Sequence, residues 1–328
     1  MEEEVGTIGV MGGVTCGIDL GGTKIQAAAV RSGKIVAQFR VPTPRSGPNE
    51  VIEAVVGAAK SSLDQAGMKA RDLLGVGIGS PGEIDRGKGI VSRASNVPGF
   101  EDPVELGSRV SKALREVPVS VDNDVRVAVL GEHKRGAGRP FKDLVGVFLG
   151  TGVGGGIVLG GKLRDGQGSA GEIGHTVVDP DGRPCACGRR GCLEAYAGRG
   201  SIERKARELS AKGRKTILFD LMERKGKDRL TSGVIAAALQ KGDKMTMRLI
   251  DEAVWALGIA LASAQNLLDL QAIIVGGGLG DRLGAPFVDR VARAMQPRLF
   301  VPSRPPAMLT TMFGDLSGAL GAAVLAGA

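Results

Sequence analysis

A strand, a glycine turn and a second strand occur twice in this chain, and this internal repeat constrains the fold more than any other feature. The segment Cys16 to Val30 carries Asp19-Leu-Gly-Gly-Thr-Lys24, and the segment Val145 to Lys162 carries Gly150-Thr-Gly-Val-Gly154 at the corresponding place. Two copies so far apart predict two lobes of similar topology. Glycine supplies 53 of the 328 residues, against an average share of about 7%. Such turns allow a ligand to approach the backbone.

The hydrophobic pattern between and after the repeats alternates between strands and helices, which predicts an α/β protein. The first part should contain strands at Val14–Leu20, Ile25–Val30, Ile35–Val41, Leu73–Ile78 and Val119–Val121, and helices at Pro48–Ala66, Pro103–Leu114 and Val125–Glu132. The second part should contain a polar helical stretch from Ser201 to Gly242, a helix from Lys244 to Leu268, a strand at Ala272–Val275, a turn at Gly276–Gly278 and a final helix at Leu316–Ala326.

Net charge and aromatic content narrow the classes of partner. The formal charge of +8 favours acidic partners such as nucleotides or polyphosphate. Aromatic residues make up only 3% of the chain, which argues against binding nucleic acid by base stacking. The start, Met1-Glu-Glu-Glu4, is acidic where a signal peptide is basic, and no apolar run reaches the roughly 18 residues of a membrane span. We therefore expect a cytoplasmic protein without nucleic-acid or membrane partners.

Three of the four cysteines lie within eight positions and follow a histidine. His175, Cys185, Cys187 and Cys192 supply one imidazole and three thiolates, a known donor set for a closed structural zinc site. A disulfide framework is the weaker alternative, since it would leave one of the three thiols unpaired. The sequence therefore predicts a structural zinc ion, whereas Cys16, inside an apolar strand, is expected to be an inert buried thiol.

The glycine turns do not follow the usual phosphate-binding motifs. The P-loop pattern is absent, and the two matches to a dinucleotide fingerprint, at Gly77 to Gly82 and at Gly150 to Gly155, lack the helix that should follow. Each repeated turn could be an ordinary hairpin. Their recurrence favours a shared role instead, in which backbone N–H groups and threonine hydroxyls of both lobes face one anion.

Together these motifs resemble the ROK family of repressors, open reading frames and sugar kinases. The resemblance runs from about Val14 to the C-terminus, with the following segments in family order: Asp19 to Lys24, Asn96-Val-Pro-Gly99, Asp122-Asn-Asp124, Gly150-Thr-Gly152, Gly171-Glu-Ile-Gly-His175, Cys185 to Glu194 and Gly276-Gly-Gly278. It implies an actin-like ATPase (ribonuclease-H-like) fold of two lobes with a central cleft. We expect residues 1–128, completed by a C-terminal helix at 315–328, to form the small lobe, and 129–314, with the zinc loop, to form the large one.

The resemblance also implies an activity, which is transfer of the γ-phosphate of ATP to the 6-hydroxyl of glucose. Asp124 would be the catalytic base, and the sugar hydroxyls would be bound by Asn96, Asn123, Glu172, His175 and Glu194. The nucleotide would be bound by Gly21, Gly22, Thr23, Lys24, Thr151, Gly152, Gly277 and Gly278, and Mg²⁺ would be held through water by Asp19. The family further implies a homo-oligomer, a dimer or tetramer.

Asp124 has a purely structural alternative, because an aspartate before Val125 could cap the helix that starts there. Capping does not require all three polar residues of Asp122-Asn-Asp124, which favours the catalytic role. The sequence departs from the family in one place nearby. Many members have asparagine two positions after the catalytic aspartate, where this chain has Arg126.

Other functions remain open at this stage. Within the kinases, the acceptor could be fructose, mannose, N-acetylmannosamine, N-acetylglucosamine or allose, and polyphosphate could be the donor. A sugar-responsive transcriptional regulator of the same family is the alternative of another class. It needs an N-terminal helix-turn-helix domain, and only about thirteen residues precede the first strand, so we expect a kinase.

Overall fold

The computed structural model describes residues 13–327, which divide into two units. The first unit comprises the described residues up to Gly131 together with those from Gly318 onwards, and the second comprises Glu132–Ser317. Each unit has its own hydrophobic core. Among the described helices, none has both the length and the apolar character needed to cross a membrane.

The first unit is built on a five-stranded sheet. Its strands are β1 (Val14–Leu20), β2 (Lys24–Arg31), β3 (Lys34–Pro42), β4 (Leu73–Ser80) and β7 (Val119–Asn123), and a small separate hairpin is formed by β5 (Glu83–Asp85) and β6 (Ile90–Ser92). The large sheet has the order β3-β2-β1-β4-β7. The first three strands form an antiparallel meander, whereas β1, β4 and β7 run parallel.

In the described part of the chain, four α-helices accompany this sheet. They are α1 (Pro48–Gln65), α2 (Leu106–Ala113), α3 (Asp124–Arg135) and α10 (Ser317–Leu325), of which α3 and α10 continue across the boundaries of the unit. The C-terminal helix α10 packs closely on the sheet because glycine lies beneath it. A side chain at Gly77 of β4 would come within 1.8 Å of the carbonyl oxygen of Ala322, so any larger residue there would push the helix away.

The second unit repeats the plan of the first. Its strands are β8 (Leu144–Leu149), β9 (Val153–Leu159), β10 (Lys162–Leu163), β11 (Ala272–Gly276) and β12 (Ala307–Thr310). They have the order β10-β9-β8-β11-β12, with β8, β11 and β12 parallel. This is the strand order of the first sheet, position for position, as the internal repeat predicts.

The helices of the second unit lie in the sequence between β10 and β12. They are α4 (Glu194–Ala197), α5 (Arg199–Ala211), α6 (Leu218–Arg224), α7 (Ser232–Gln240), α8 (Lys244–Leu268) and α9 (Gly277–Met295). The turn expected at Gly276–Gly278 is instead the start of α9, so this part of the prediction is wrong. Asp243 caps the long helix α8 by accepting from Thr246 N at 2.8 Å.

Glu132 and Ser317 are the first and last residues of the second unit, and they are joined directly. The buried Glu132 carboxylate accepts a hydrogen bond from Ser317 Oγ at 2.7 Å. It also accepts from the backbone N–H groups of Ala137, Met312 and Phe313. A carboxylate with this many donors can remain buried without a counter-ion. The two ends of the unit are thereby held together.

Candidate active site

In the first unit, the candidate residues lie at the carboxyl ends of the three parallel strands. Asp19 of β1 is paired in register with Gly79 of β4, and Gly79 is paired with Asp122 of β7. Adjacent strands are about 4.8 Å apart, so the polar residues that follow these positions share one edge of the sheet. In α/β sheets this edge is where ligands bind.

The glycine turn after β1 belongs to the same edge. It is closed by a hydrogen bond from Gly21 N to Lys24 O at 3.0 Å, and Thr43 Oγ1 donates to Gly21 O at 2.6 Å. A side chain at Gly22 would come within 2.1 Å of Asn96 O, so only glycine allows the loop carrying Asn96 to lie against the turn. The structure thus brings the predicted sugar residue Asn96 next to the predicted nucleotide turn.

The junction between β7 and α3 holds the predicted base. Asp124 is the first residue of α3, and Asn123 is the last residue of β7. Asn123 Oδ1 accepts from the N–H groups of Val125 and Arg126 at 3.0 and 3.2 Å, so it serves as the helix cap. Asp124 Oδ1 accepts a local hydrogen bond from Val125 N, at 2.9 Å. Since Asn123 performs the capping, the structural alternative for Asp124 loses its main support.

Arg126, the departure from the family pattern, pairs with Asp122. Its Nε donates to Asp122 Oδ1 at 2.9 Å and its Nη2 to Asp122 Oδ2 at 3.2 Å, which is a two-pronged ion pair. Arg86 Nη1 lies 3.6 Å from the same Oδ2. Among the strands that the structure describes, β7 lies at the edge of its sheet and has β4 as its neighbour. The ion pair therefore fixes the end of this strand just before Asn123 and Asp124.

We expect Arg126→Met to destabilise the protein by about 3 kcal/mol, because it leaves a buried carboxylate short of its main partner. The side chains of Arg126 and Asp122 are only 4% and 6% exposed, so water cannot replace the lost contact. The double variant Asp122→Asn with Arg126→Met should recover most of the loss. Urea unfolding of both variants measures these changes in the free energy of unfolding.

The exposed pair Arg93 and Glu83 provides the matched control, since its side chains are 75% and 65% exposed. Arg93→Met should change the free energy of unfolding by less than about 1 kcal/mol. If Arg126→Met costs no more than Arg93→Met, the buried pair does not hold the strand end as described.

In the second unit, a glycine turn and a helix start meet at the carboxyl ends of β8 and β11. The turn, Gly150 to Gly152, is closed by a hydrogen bond from Gly150 N to Gly152 O at 2.9 Å. The helix start is Gly277, the first residue of α9, where a side chain would come within 2.6 Å of Leu149 N. The predicted nucleotide residues Thr151 and Gly152 therefore lie in the turn, and Gly277 and Gly278 lie at the adjacent helix start.

Arg199, which the sequence analysis did not single out, lies beside both the turn and the helix start. Its Nη2 donates to Thr151 Oγ1 at 3.1 Å. A side chain at Gly278 would lie 3.6 Å from its Nη1, so the guanidinium reaches from the turn to the start of α9. The one available signal was an arginine between two glycines, Gly198 and Gly200, directly after the cysteine motif. That spacing matches no binding motif, and so it was missed.

The predicted metal ligands form one cluster. The ligand atoms of His175, Cys185, Cys187 and Cys192 all lie within 4.8 Å of one another. The Sγ atoms of Cys187 and Cys192 are 3.7 Å apart, and Cys185 Sγ is 3.9 Å from His175 Nδ1. In a tetrahedral zinc site with Zn–S bonds of about 2.3 Å, ligand sulfurs are about 3.8 Å apart. The donor set and its spacing both fit such an ion.

The backbone of the cysteine loop turns sharply at two glycines. Gly188 and Gly191 have φ values of 86° and 72°, in the left-handed region that favours glycine. Hydrogen bonds from Cys185 N to Arg189 O and from Gly188 N to Cys185 O close the loop. These turns allow three cysteines close in sequence to face one point.

The thiols of the cluster have unequal acidity. Arg189 beside Cys187 lowers the pKa of that thiol to about 6, which favours the thiolate that metals bind. Burial raises the pKa of Cys185 to about 12, so this thiol is protonated unless a cation binds there. Binding a metal ion must therefore release at least one proton.

Glu194 links the cysteine cluster to the glycine turn. Its Oε2 accepts from Val153 N at 2.9 Å, and its Oε1 lies 3.8 Å from Cys185 Sγ. Glu172, by contrast, is exposed and precedes a short 3-10 helix that ends at His175. The structure therefore gives Glu194 two protein partners, and the binding of sugar by Glu172, His175 and Glu194 stays a prediction.

The cysteine loop is braced against the helix α8. Tyr196 donates from its hydroxyl to Asp179 Oδ2 at 2.9 Å, and its ring contacts the ring of Trp255 edge to face at 5.5 Å. The Arg183 guanidinium lies 4.8 Å from the Tyr196 ring centre and forms an ion pair with Glu252 of α8. The loop is thus anchored on the core of the second unit.

Comparison with known proteins agrees with this arrangement. The family model described as "ROK family" matches residues 15–328. A glucokinase of Streptomyces coelicolor is 36% identical over 96% of this chain and 98% of its own length. An N-acetylmannosamine kinase of Escherichia coli is 32% identical over 95% of this chain and 98% of its own length. A crystal structure of a ROK family glucokinase from Streptomyces griseus, in complex with glucose and AMPPNP, is 34% identical with a TM-score of 0.79, covering 96% of this chain and 99% of that one. The likeness confirms the predicted α/β, actin-like ATPase fold.

Proposed function

This chain belongs to the ROK family, and from that membership we propose that it is an ATP-dependent glucokinase, which transfers the γ-phosphate of ATP to the 6-hydroxyl of glucose. The observation that carries the proposal is the chemical character of the strand ends. In each sheet, a glycine turn follows the first strand in the sequence. In the first unit, the carboxylate of Asp124 lies at the start of the helix that follows β7. Sugar kinases that match this chain over nearly its full length support the assignment.

Phosphoryl transfer to an alcohol needs a group that takes the proton of the attacking hydroxyl. Asp124 is assigned this role. As the bond between the 6-oxygen of glucose and the γ-phosphorus forms, the bond from that phosphorus to the bridging oxygen of ADP breaks. The hydroxyl proton passes to the Asp124 carboxylate. Asn123, whose Oδ1 caps the helix, keeps the carboxylate at a fixed helix start.

The acceptor sugar is assigned to the remaining polar residues. We assign its hydroxyls to Asn96, Asn123, Glu172, His175 and Glu194, which would hydrogen-bond them. Carboxylates suit this role because each accepts several hydroxyl protons, and an analogue that lacks a hydroxyl leaves them unpaired. His175 has Nδ1 beside Cys185 Sγ at 3.9 Å, so Nε2 is the nitrogen assigned to the sugar.

The nucleotide is assigned to the glycine turns. The phosphates are assigned to Gly21, Gly22, Thr23, Lys24, Thr151 and Gly152. Gly277 and Gly278, at the start of α9, would contact the adenosine. Backbone N–H groups at such turns and helix starts favour anions.

Two metal ions complete the proposal. His175, Cys185, Cys187 and Cys192 would hold zinc, whose closed tetrahedral coordination supplies structural order to the loop and no open position for catalysis. Asp19 would hold Mg²⁺ through water. Its carboxylate lies beside the start of α10, where a side chain at Gly318 would come within 2.9 Å of Asp19 Cγ.

A panel of sugars, with ADP release measured by a coupled assay, tests the function. We expect kcat/KM to be highest for glucose with ATP as donor. N-acetylmannosamine is the second candidate acceptor, since an N-acetylmannosamine kinase is also similar over nearly the full chain. A higher kcat/KM for another hexose would contradict the acceptor assignment, and turnover with polyphosphate but not with ATP would contradict the donor.

A further inference from the structure

Arg199 is tied by its backbone to the glycine turn at the end of β8. Its N–H donates to Gly150 O at 3.1 Å, and the next residue, Gly200, donates from its N–H to Thr151 O at 2.9 Å. The start of helix α5 and the turn therefore move together. Any group that Arg199 presents is held in a fixed place relative to Gly150, Thr151 and Gly152.

The guanidinium of Arg199 extends from this turn towards the start of α9. Its Nη2 bonds to Thr151 Oγ1 at 3.1 Å and its Nη1 to Ser232 Oγ at 3.3 Å. The backbone of Gly278 is close enough that a side chain there would lie 3.6 Å from Nη1. The two hydrogen bonds are to neutral hydroxyls, which orient the guanidinium but do not balance its charge.

Within residues 13–327, no carboxylate forms an ion pair with Arg199. The acidic side chain that acts on it electrostatically, Glu203, is engaged elsewhere. One Glu203 oxygen accepts from Arg207 and the other from Leu230 N. Burial lowers the pKa of the Arg199 guanidinium, which still remains charged at neutral pH. A half-buried cation without a counter-ion is unfavourable unless a ligand supplies one.

We propose that Arg199 binds the diphosphate group of the nucleotide, through charge-assisted hydrogen bonds from its guanidinium to the α- and β-phosphate oxygens. This inference rests on the proposed function and adds to it a residue that holds donor and product alike. The planar fork of arginine matches two phosphate oxygens at once. Adenosine, which has no phosphate, would not depend on Arg199.

Calorimetric titration of the full-length protein with ADP and with adenosine tests the proposal. Arg199→Met should weaken ADP binding at least about tenfold and leave adenosine binding unchanged. Arg199→Lys keeps the positive charge but loses the planar guanidinium, so its ADP affinity should lie between those of the parent protein and Arg199→Met. Steady-state kinetics should show a raised KM for ATP in Arg199→Met with the KM for glucose unchanged.

Arg204→Met is the matched control, because Arg204 lies on the same helix and its guanidinium donates to Ser201 Oγ at 3.0 Å, the one hydrogen bond that it makes among residues 13–327. It removes the same charge and should leave ADP binding as in the parent protein. Unchanged ADP binding in Arg199→Met would overturn the proposal. So would an equal loss of ADP and adenosine binding, which would mean that Arg199 only supports the turn.

The outcomes separate this inference from the function it rests on. A parent protein that binds ADP but phosphorylates no hexose would overturn the glucokinase assignment alone, and the role of Arg199 would still be decided by the ADP titrations. A parent protein that binds no ADP at all would overturn both.

Discussion

Replacing Asp124 by asparagine should reduce kcat by about 10²–10⁴, the contribution of a positioned general base. The amide keeps an oxygen in the place of Oδ1, so the hydrogen bond from Val125 N at 2.9 Å can persist. It cannot take up the proton of the attacking hydroxyl. Binding of glucose should change little, since the neighbouring Asn123 and its bonds to the helix start are untouched. Single-turnover kinetics with glucose titrations measure both quantities.

Asp85→Asn serves as the control for Asp124→Asn, because it makes the same chemical change at an exposed carboxylate in the same unit. It should leave turnover within about twofold, as expected for a surface group. An Asp124→Asn protein that retains more than about a tenth of the parent turnover would show that another group accepts the proton.

The strand meanders and the long helix could be predicted from the sequence because their patterns are local. β1 spans Val14–Leu20 and α8 spans Lys244–Leu268, both with the predicted limits. The repeated motif predicted that the two sheets share one plan, and the strand orders agree. Alternation of apolar residues and a capping aspartate before α8 decide these elements without help from distant contacts.

The end of the second unit could not be predicted in the same way. Helix α9 contains Gly284 with a non-helical backbone and Pro286, which break the helical signal, so the glycines at its start were interpreted as a turn. The short strand β12, Ala307–Thr310, has no alternating pattern and forms because its neighbour β11 offers a parallel edge. Such elements depend on partners distant in sequence.

The same distinction between local and distant contacts holds for the candidate site. The cysteine cluster was predictable because its ligand types and spacing carry the chemistry themselves. Arg199 could not be predicted in this way, since its role depends on its contacts with Thr151 and Gly278, which lie far from it in sequence. The link from Glu194 to Val153 N was hidden for the same reason.

Replacing Cys187 by serine should remove most of the metal, and with it most of the activity. Cys187 Sγ lies 3.7 Å from Cys192 Sγ, and the loss of one thiolate opens the coordination sphere. Cys192 is followed closely by Glu194, so the loosened loop should displace the carboxylate that bonds to Val153 N. A displacement of about 1 Å in a substrate-positioning group can cost about 10² in rate. Both the KM for glucose and kcat should therefore change.

Elemental analysis, glucose titration and turnover together measure this effect. Nucleotide affinity should fall by a smaller factor than glucose affinity, because Arg199 holds the Thr151 turn independently through Gly150 O. Cys16→Ser is the control: Cys16 is outside the cluster, and its Sγ lies 3.7 Å from Ser62 Oγ, a partner that serine can keep. That variant should retain its metal and activity. A parent protein without zinc, or a Cys187→Ser protein with normal glucose affinity, would mean that the cluster does not order the sugar-binding residues, since displaced ligands cannot bind with unchanged strength.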